Sequence, residues 1–158
     1  MKHIPTLYQW AGGLEVIKEL ITKFYDKVVT DDVLKDLFTH MSEEHQINVA
    51  RFISEVLGGP KLYTENGGSH FGMIKKHFQK NISEEQRRRW MNLLLEIANE
   101  LKLPDDPEFR SAFVAYLEWG TRLAVINSNS DTIDMAPDEP MPKWGWGETG
   151  GPYNPNGN

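Results

Sequence analysis

Apolar residues in this chain recur at intervals of three and four, and no segment alternates convincingly with period two. After Gly12 and Gly13, the stretch "LEVIKELITKFYDKVV" places Ile17, Leu20, Ile21, Phe24 and Val28 at i, i+3, i+4, i+7 and i+11, one face of an amphipathic helix. Asp31 and Asp32 favour the start of a short helix carrying Val33, Leu34, Leu37 and Phe38, because carboxylates suit a helix N-terminus. Ser42 can cap a further helix, with Glu43 and Glu44 in its first turn and Val49, Phe52, Ile53 and Val56 as its apolar row. His45 sits one turn before Val49 on that row. Gly58, Gly59 and Pro60 end it. This patterning predicts an all-α chain.

The stretch "KLYTENGGS" reads as a loop, and a short helix after it ends near His77. Ser83 and Gln86 match a capping box that opens a helix with Trp90, Leu93, Leu94, Ile97 and Leu101 on one stripe. "LPDDP" breaks that helix. Pro107 fits the first turn of a last helix burying Phe113, Tyr116, Leu117, Gly120 and Ala124. The reading is a helical domain over 1–128 and an extension over 129–158 rich in Pro, Gly and Asn. The extension still carries Trp144, Trp146 and Tyr153, more aromatic surface than a purely disordered tail bears. Its simplest reading is a segment docked along the domain; a dimer contact or partner-binding arm is the sharper one.

The chain has 158 residues, enough for one domain with a substantial core. The absence of cysteine excludes a disulfide framework, thiolate catalysis, iron–sulfur clusters and Cys-based zinc sites. A net charge of −6 argues against nucleic acid or an anionic membrane as the main partner. No apolar run resembles a signal-peptide core or approaches a membrane span, so a cytoplasmic protein is expected. The oligomeric expectation is a monomer or homodimer.

An all-α chain without Cys and with one well-placed histidine can hold haem. The iron needs one strong ligand from a neutral imidazole, whose second nitrogen needs a hydrogen-bond acceptor to fix the ring. His77, at the end of a short helix, can find a backbone carbonyl. The Phe24–Tyr25 pair, Phe38, His45 with Val49, and Trp90 are suitable residue types for a dry pocket with a few donors, and they lie on four different elements.

These residues, in order, are similar to a truncated hemoglobin of the group II type. The resemblance covers roughly residues 6–128. It rests on "TLYQWAGG", "FYDKVVTDDVLKDLF", "HQINVARFISEVLGGPKLY", "SHFGMIKKHFQKNI", "RRRWMNLLLEIANEL" and "FRSAFVAYLEWGTRL". It implies a globin-like, truncated two-over-two helical sandwich around haem b. It also implies His77 as the proximal iron ligand, Tyr25 as the main distal donor, and Trp90 as a second donor with its indole N–H toward the ligand. His45 falls on the distal helix and Val49 would be an apolar wall. Phe38 matches an aromatic that packs on the cofactor, and Tyr63 and Lys76 occupy positions associated with its propionates. His70 and Met73 complete the expected cofactor-binding set. Implied small ligands are O2, NO, CO or peroxide, with an external reductase for the iron.

Plainer readings stand beside these. His77 taken alone is an exposed histidine favoured by a helix dipole. His45 divides evenly between a distal donor and a plainer residue that faces solvent or gates the pocket. Tyr25 and Trp90 alone are core aromatics whose polar tips bond locally. Arg87, Arg88 and Arg89 point about 100° apart on a helix and read as a solvated face, with Glu84–Arg88 and Glu85–Arg89 pairs worth about 0.3–0.5 kcal/mol each. His3 and His40 carry no functional expectation. Two donors to bound O2, at about 1.5–3 kcal/mol each, would slow its escape by roughly two to four orders of magnitude. Slow release favours redox chemistry: oxidation of nitric oxide to nitrate, or reduction of peroxide. The competing readings are an O2 store, carrier or gas sensor, and a haem-free helical interaction domain.

Overall fold

The computed structural model describes residues 3–39 and 41–153; His40 and the two chain ends lie outside the described residues. Seven α-helices and no strand occur among the described residues. They are α1 (Leu7–Ala11), α2 (Leu14–Val28), α3 (Glu43–Val56), α4 (Leu62–Glu65), α5 (His70–His77), α6 (Glu84–Glu100) and α7 (Pro107–Ser128). Helix α2 packs on α3 and α6, while α7 packs on α5 and α6. This arrangement is the expected all-α, globin-like two-over-two sandwich.

Local chemistry sets most helix starts. Thr6 and Gln9 form a reciprocal capping box on α1, and Ser83 and Gln86 form the expected one on α6. Ser42, Ser69 and Asp106 accept from the backbone N–H of the third residue of α3, α5 and α7. Two expected elements differ. The helix after Asp31 is only a 3-10 turn, Lys35–Phe38, because the Asp31 carboxylate accepts from the backbone of Val33 and Leu34 and holds a turn there. Inside the expected loop, Leu62–Glu65 forms the single turn of α4, held by Glu55 accepting from the Thr64 backbone and hydroxyl.

The core is the predicted helical faces folded together. Ile17, Leu20, Ile21, Phe24 and Val28 of α2 meet Ile53 and Val56 of α3 and Leu93, Leu94 and Ile97 of α6. Full burial of each such large side chain contributes about 1.5–3 kcal/mol of transfer free energy. Phe109 and Phe113 stack at 5.6 Å on α7. Arg89 spans from α6 to Asp31 at 2.7 Å, tying the corner after α2 to the opposite helix pair. Burial pushes the Asp31 carboxyl up, but Arg89 and the two backbone N–H groups outweigh it and hold the carboxyl below its ordinary range.

The segment after α7 turns back over the helices, as a docked tail does. The Trp144 backbone N–H donates to Val56 O at 2.8 Å, and Trp146 Nε1 donates to Pro5 O at 2.7 Å. The Trp146 ring meets Trp10 edge to face at 6.0 Å, and Trp10 Nε1 donates to Asp106 at 2.8 Å. Tyr153 is exposed.

At the end of α3, Gly59 lets two segments approach closely. A Cβ there would lie 2.7 Å from the Ser54 carbonyl oxygen and 2.7 Å from the Tyr8 ring. A backbone carbonyl cannot step aside as a side-chain tip can. Gly59→Ala is therefore expected to cost about 1–3 kcal/mol. In a chain of this length that corresponds to a fall in Tm of roughly 3–10 °C. An unchanged melting curve would show that the two segments can separate freely.

Candidate functional site

A cavity of about 700 Å³ lies between the helix pairs. Its volume is in the range of about 300–1,000 Å³ usual for cofactor and ligand pockets. Helix α2 contributes Tyr25, the 3-10 turn Leu37 and Phe38, and α3 His45, Val49, Phe52 and Ile53. Met73, Ile74, Lys76 and His77 come from α5, Arg87 and Trp90 from α6, and Tyr116, Leu117 and Trp119 from α7. Nine of the ten residues singled out from the sequence line this one space.

The exception is Tyr63. It is buried beside the cavity, with its ring edge-on to Phe52 at 5.2 Å and its hydroxyl donating to Ser69 O at 3.4 Å. It braces the turn that caps α5 and faces no part of the cavity.

His77 closes α5. Its Nδ1 lies 2.9 Å from Met73 O. A carbonyl only accepts, so Nδ1 carries the hydrogen and Nε2 keeps a free lone pair. Burial holds the imidazole pKa below its usual value, and Lys76 and Lys80 add to this against the Met73 carbonyl. The loop after His77 is latched to the end of α7. The Asn81 N–H donates to Ser128 O at 3.1 Å, Ile82 N–H donates to Ser128 Oγ at 3.0 Å, and the Asn129 amide donates to Ile82 O at 3.0 Å. Gln79 and Asn81 take positive φ values of 60° and 53° in that loop.

Tyr25 is 4% exposed, and its ring meets Phe24, Phe38 and His45 edge-on at 5.3, 5.6 and 6.1 Å. Burial pushes its phenol well above the usual tyrosine range, so it stays protonated, and no protein group among the described residues pairs with the hydroxyl. Trp90 packs edge-on to Phe24 at 5.2 Å. His45 is half-buried; burial first, then the neighbouring Lys76 and His77, push its pKa down to about 4, so it is neutral at pH 7. His70 is 6% exposed with its Nδ1 buried and unpaired, and its ring leans on Trp119 at 6.1 Å. Burial lowers the His70 pKa, against Glu139 and the Pro140 carbonyl of the tail.

The arginine run is not a uniformly solvated face. Arg87 is 4% exposed and lines the cavity. Its guanidinium donates to Glu84 at 2.6 and 2.9 Å, with Glu118 at 3.5 Å and Thr121 Oγ1 at 3.4 Å. These donors draw the exposed Glu84 carboxyl down to about 2. Arg89 pairs with Asp31, and only Glu84–Arg88, at 3.2 Å, matches a pair expected from sequence. Sequence reasoning also left Lys80, Tyr116 and Trp119 out of the site. Tyr116 and Leu117 belong to the row read as core, and the same spacing serves a cavity wall.

Among the described residues, no group of three His, Cys, Asp or Glu side chains could hold a bare metal ion. One oriented imidazole in a large apolar cavity instead suits a metal carried by its own macrocycle, which needs a single strong protein ligand. Lys76 and Lys80 at the wall supply cations for the carboxylates of such a group. The residues present therefore fit haem.

Comparison with known proteins points the same way. The family model of the bacterial-like globins matches residues 6–118. The group 2 truncated hemoglobin YjbI of Bacillus subtilis is 27% identical over 121 residues, spanning 77% of this chain and 89% of that protein. The truncated oxygen-avid haemoglobin from Bacillus subtilis superposes with a TM-score of 0.67 at 27% identity, over 77% of this chain and 99% of that one. The group II truncated hemoglobin from Bacillus anthracis superposes with a TM-score of 0.71 at 23% identity, over 82% of this chain and 98% of that one.

Ser128 is fully buried and its hydroxyl is the acceptor for the Ile82 N–H. Ser128→Ala removes that acceptor and is expected to cost about 1–3 kcal/mol. Amide exchange should quicken at Asn81 and Ile82 while α2 keeps its relative protection. Equal loss of protection everywhere would show that the latch does not act locally on the loop after His77.

Proposed function

Because the chain belongs to the bacterial-like globin family and is a truncated hemoglobin of group II type, we propose that it holds haem b through His77 and carries out redox chemistry on a bound small molecule. Membership itself implies haem and a small gaseous ligand such as O2. Haem, when bound, supplies an iron centre able to take up diatomic ligands and exchange electrons.

The chain's own residues do the rest. His77 offers a neutral Nε2, its ring direction set by Met73 O. Phe38, Val49, Met73 and Leu117 present apolar surface that excludes water. The Trp90 indole is a donor only, and the Tyr25 phenol is a protonated hydroxyl with no other partner among the described residues. His45, neutral at pH 7, can donate through one nitrogen and accept through the other.

The observation that carries the reading is the buried Tyr25 side chain, which lines the same cavity as the free nitrogen of His77 and whose hydroxyl has no protein partner among the described residues. A protonated phenol at a cavity wall without a protein partner is available to a ligand. Donors there stabilise negative charge on bound O2 or peroxide and slow escape. Retention favours two reactions over carriage: oxidation of nitric oxide to nitrate by bound O2, with one electron returned per turnover by an external reductase, and reduction of peroxide to water. A cytoplasmic setting would supply the reductase.

Two measurements test this. His77→Gly should lose the wild-type absorption spectrum of the haem-loaded protein, and added imidazole should restore it; an unaltered spectrum without imidazole would move the ligand elsewhere. Tyr25→Phe and Trp90→Leu should each speed O2 release by roughly 10- to 150-fold, from about 1.5–3 kcal/mol per donor. The oxygenated wild type should convert nitric oxide to nitrate. Fast O2 release from the wild type with neither nitrate formation nor peroxide turnover would establish an oxygen store or carrier instead.

A further inference from the structure

The docked tail connects the cavity to the surface through aromatic rings. Tyr116 and Trp119, on α7, both line the cavity. Trp144 of the tail lies against both, with ring centroids 5.7 Å from Tyr116 and 5.6 Å from Trp119. Trp119 is 38% exposed and Trp144 is half-buried, so the ring cluster ends in solvent. The tail is held at this contact by the Trp144 N–H on Val56 O and two residues later by Trp146 Nε1 on Pro5 O.

Packing alone does not require this composition. A tail could be pinned by aliphatic residues, as Met141 does nearby. Indole and phenol rings are the side chains that give up one electron most readily apart from thiols, and this chain has no thiol. Electron transfer falls steeply with separation, and here successive rings are in contact from the cavity wall to solvent. Between residues 129 and 146 the tail bears Asp131, Asp134, Asp138 and Glu139 against Lys143 alone, a negative field that favours a transient positive charge on an indole.

We propose that Tyr116, Trp119 and Trp144 form an electron relay, and that Trp119 and Trp144 make a surface site at which phenolic reductants are oxidised without entering the cavity. This rests on the peroxide-reducing part of the proposed function. Peroxide in the cavity takes two electrons and two protons and leaves as two waters. Each electron comes through Tyr116 or Trp119, is replaced from Trp144, and is restored by one phenol at the surface, which also gives up its hydroxyl proton. The sum is one peroxide and two phenols giving two waters and two phenoxyl radicals.

The test uses the haem-loaded full chain, ferric, with hydrogen peroxide and a nitroso spin trap, read by peptide mass spectrometry. The expected result is an adduct on Trp144 or Trp119. In Trp144→Phe the Trp144 adduct is lost and guaiacol oxidation falls several-fold, while the rate of the first reaction of one equivalent of peroxide, followed without guaiacol, holds. Trp144→Tyr, which keeps an oxidisable ring, restores guaiacol oxidation. Adducts confined to Tyr25 or Trp90, or guaiacol oxidation unchanged in Trp144→Phe, would overturn the relay. A second arm separates the relay from peroxide chemistry. Zinc protoporphyrin is loaded in place of haem and flash-oxidised with a cobalt(III) ammine as acceptor. Its radical cation should decay faster in the wild type than in Trp144→Phe, with an adduct on Trp144. Equal decay and no adduct sinks the relay; a working relay in a protein whose ferric haem form ignores peroxide sinks the peroxide reading instead.

Discussion

A carbonyl oxygen can only accept, and from this follows most of what the cavity can do. With Met73 O 2.9 Å from His77 Nδ1, the imidazole has one tautomer and one direction. A free histidine would divide itself between two tautomers and several rotamers, and a ligand field built on it would be blurred in the same measure. The hydrogen bond is local, four residues back along α5. Its usefulness is not local, because α5 is only eight residues long and cannot hold its own position. Its start is fixed by Ser69, which Tyr63 braces from below. Its exit is fixed by Ser128 at the far end of α7.

The opposite chemistry depends on leaving a group unsatisfied. The Tyr25 phenol lies among Phe24, Phe38 and His45, and no protein acceptor among the described residues answers it. A hydroxyl left without a partner in a sealed core would cost about 1–3 kcal/mol, whereas this one faces a cavity. Here the surrounding aromatic faces hold it in place, and in the proposed function its partner is the ligand.

How far the sequence discloses this depends on the range of the interaction concerned. Helices α2, α3 and α6 are legible because their buried faces repeat at 3.6 residues, and the helix starts at Ser42 and Ser83 because a cap acts over three residues. His77, Tyr25 and Trp90 are legible through the family likeness, which carries their relative order. Arg87 is not. Three consecutive arginines look alike in sequence, and only the arrival of Glu118 and Thr121 from α7 decides which is buried. Tyr63 lies off the cavity lining for a related reason: packing across helices turns its ring against Phe52. The Asp31 turn shows a third kind of miss, in which a side chain satisfies the very N–H groups that a longer helix would have used.

The tail combines both extremes. Its aromatic content is plain in the sequence and signals that it does not float free, but it has no period from which a path could be read. Its path is set by two backbone carbonyls, Val56 O and Pro5 O, belonging to segments about 90 and 140 residues away along the chain. Those carbonyls are what a helix end and an extended N-terminus leave unpaired, so the tail completes hydrogen bonding that the helical sandwich cannot complete itself. In doing so it covers His70 and lays an indole over two cavity-lining aromatics. A segment recruited to satisfy two orphan carbonyls thus becomes part of the environment of the site, and any change in the tail's docking changes what lies behind the wall of the cavity.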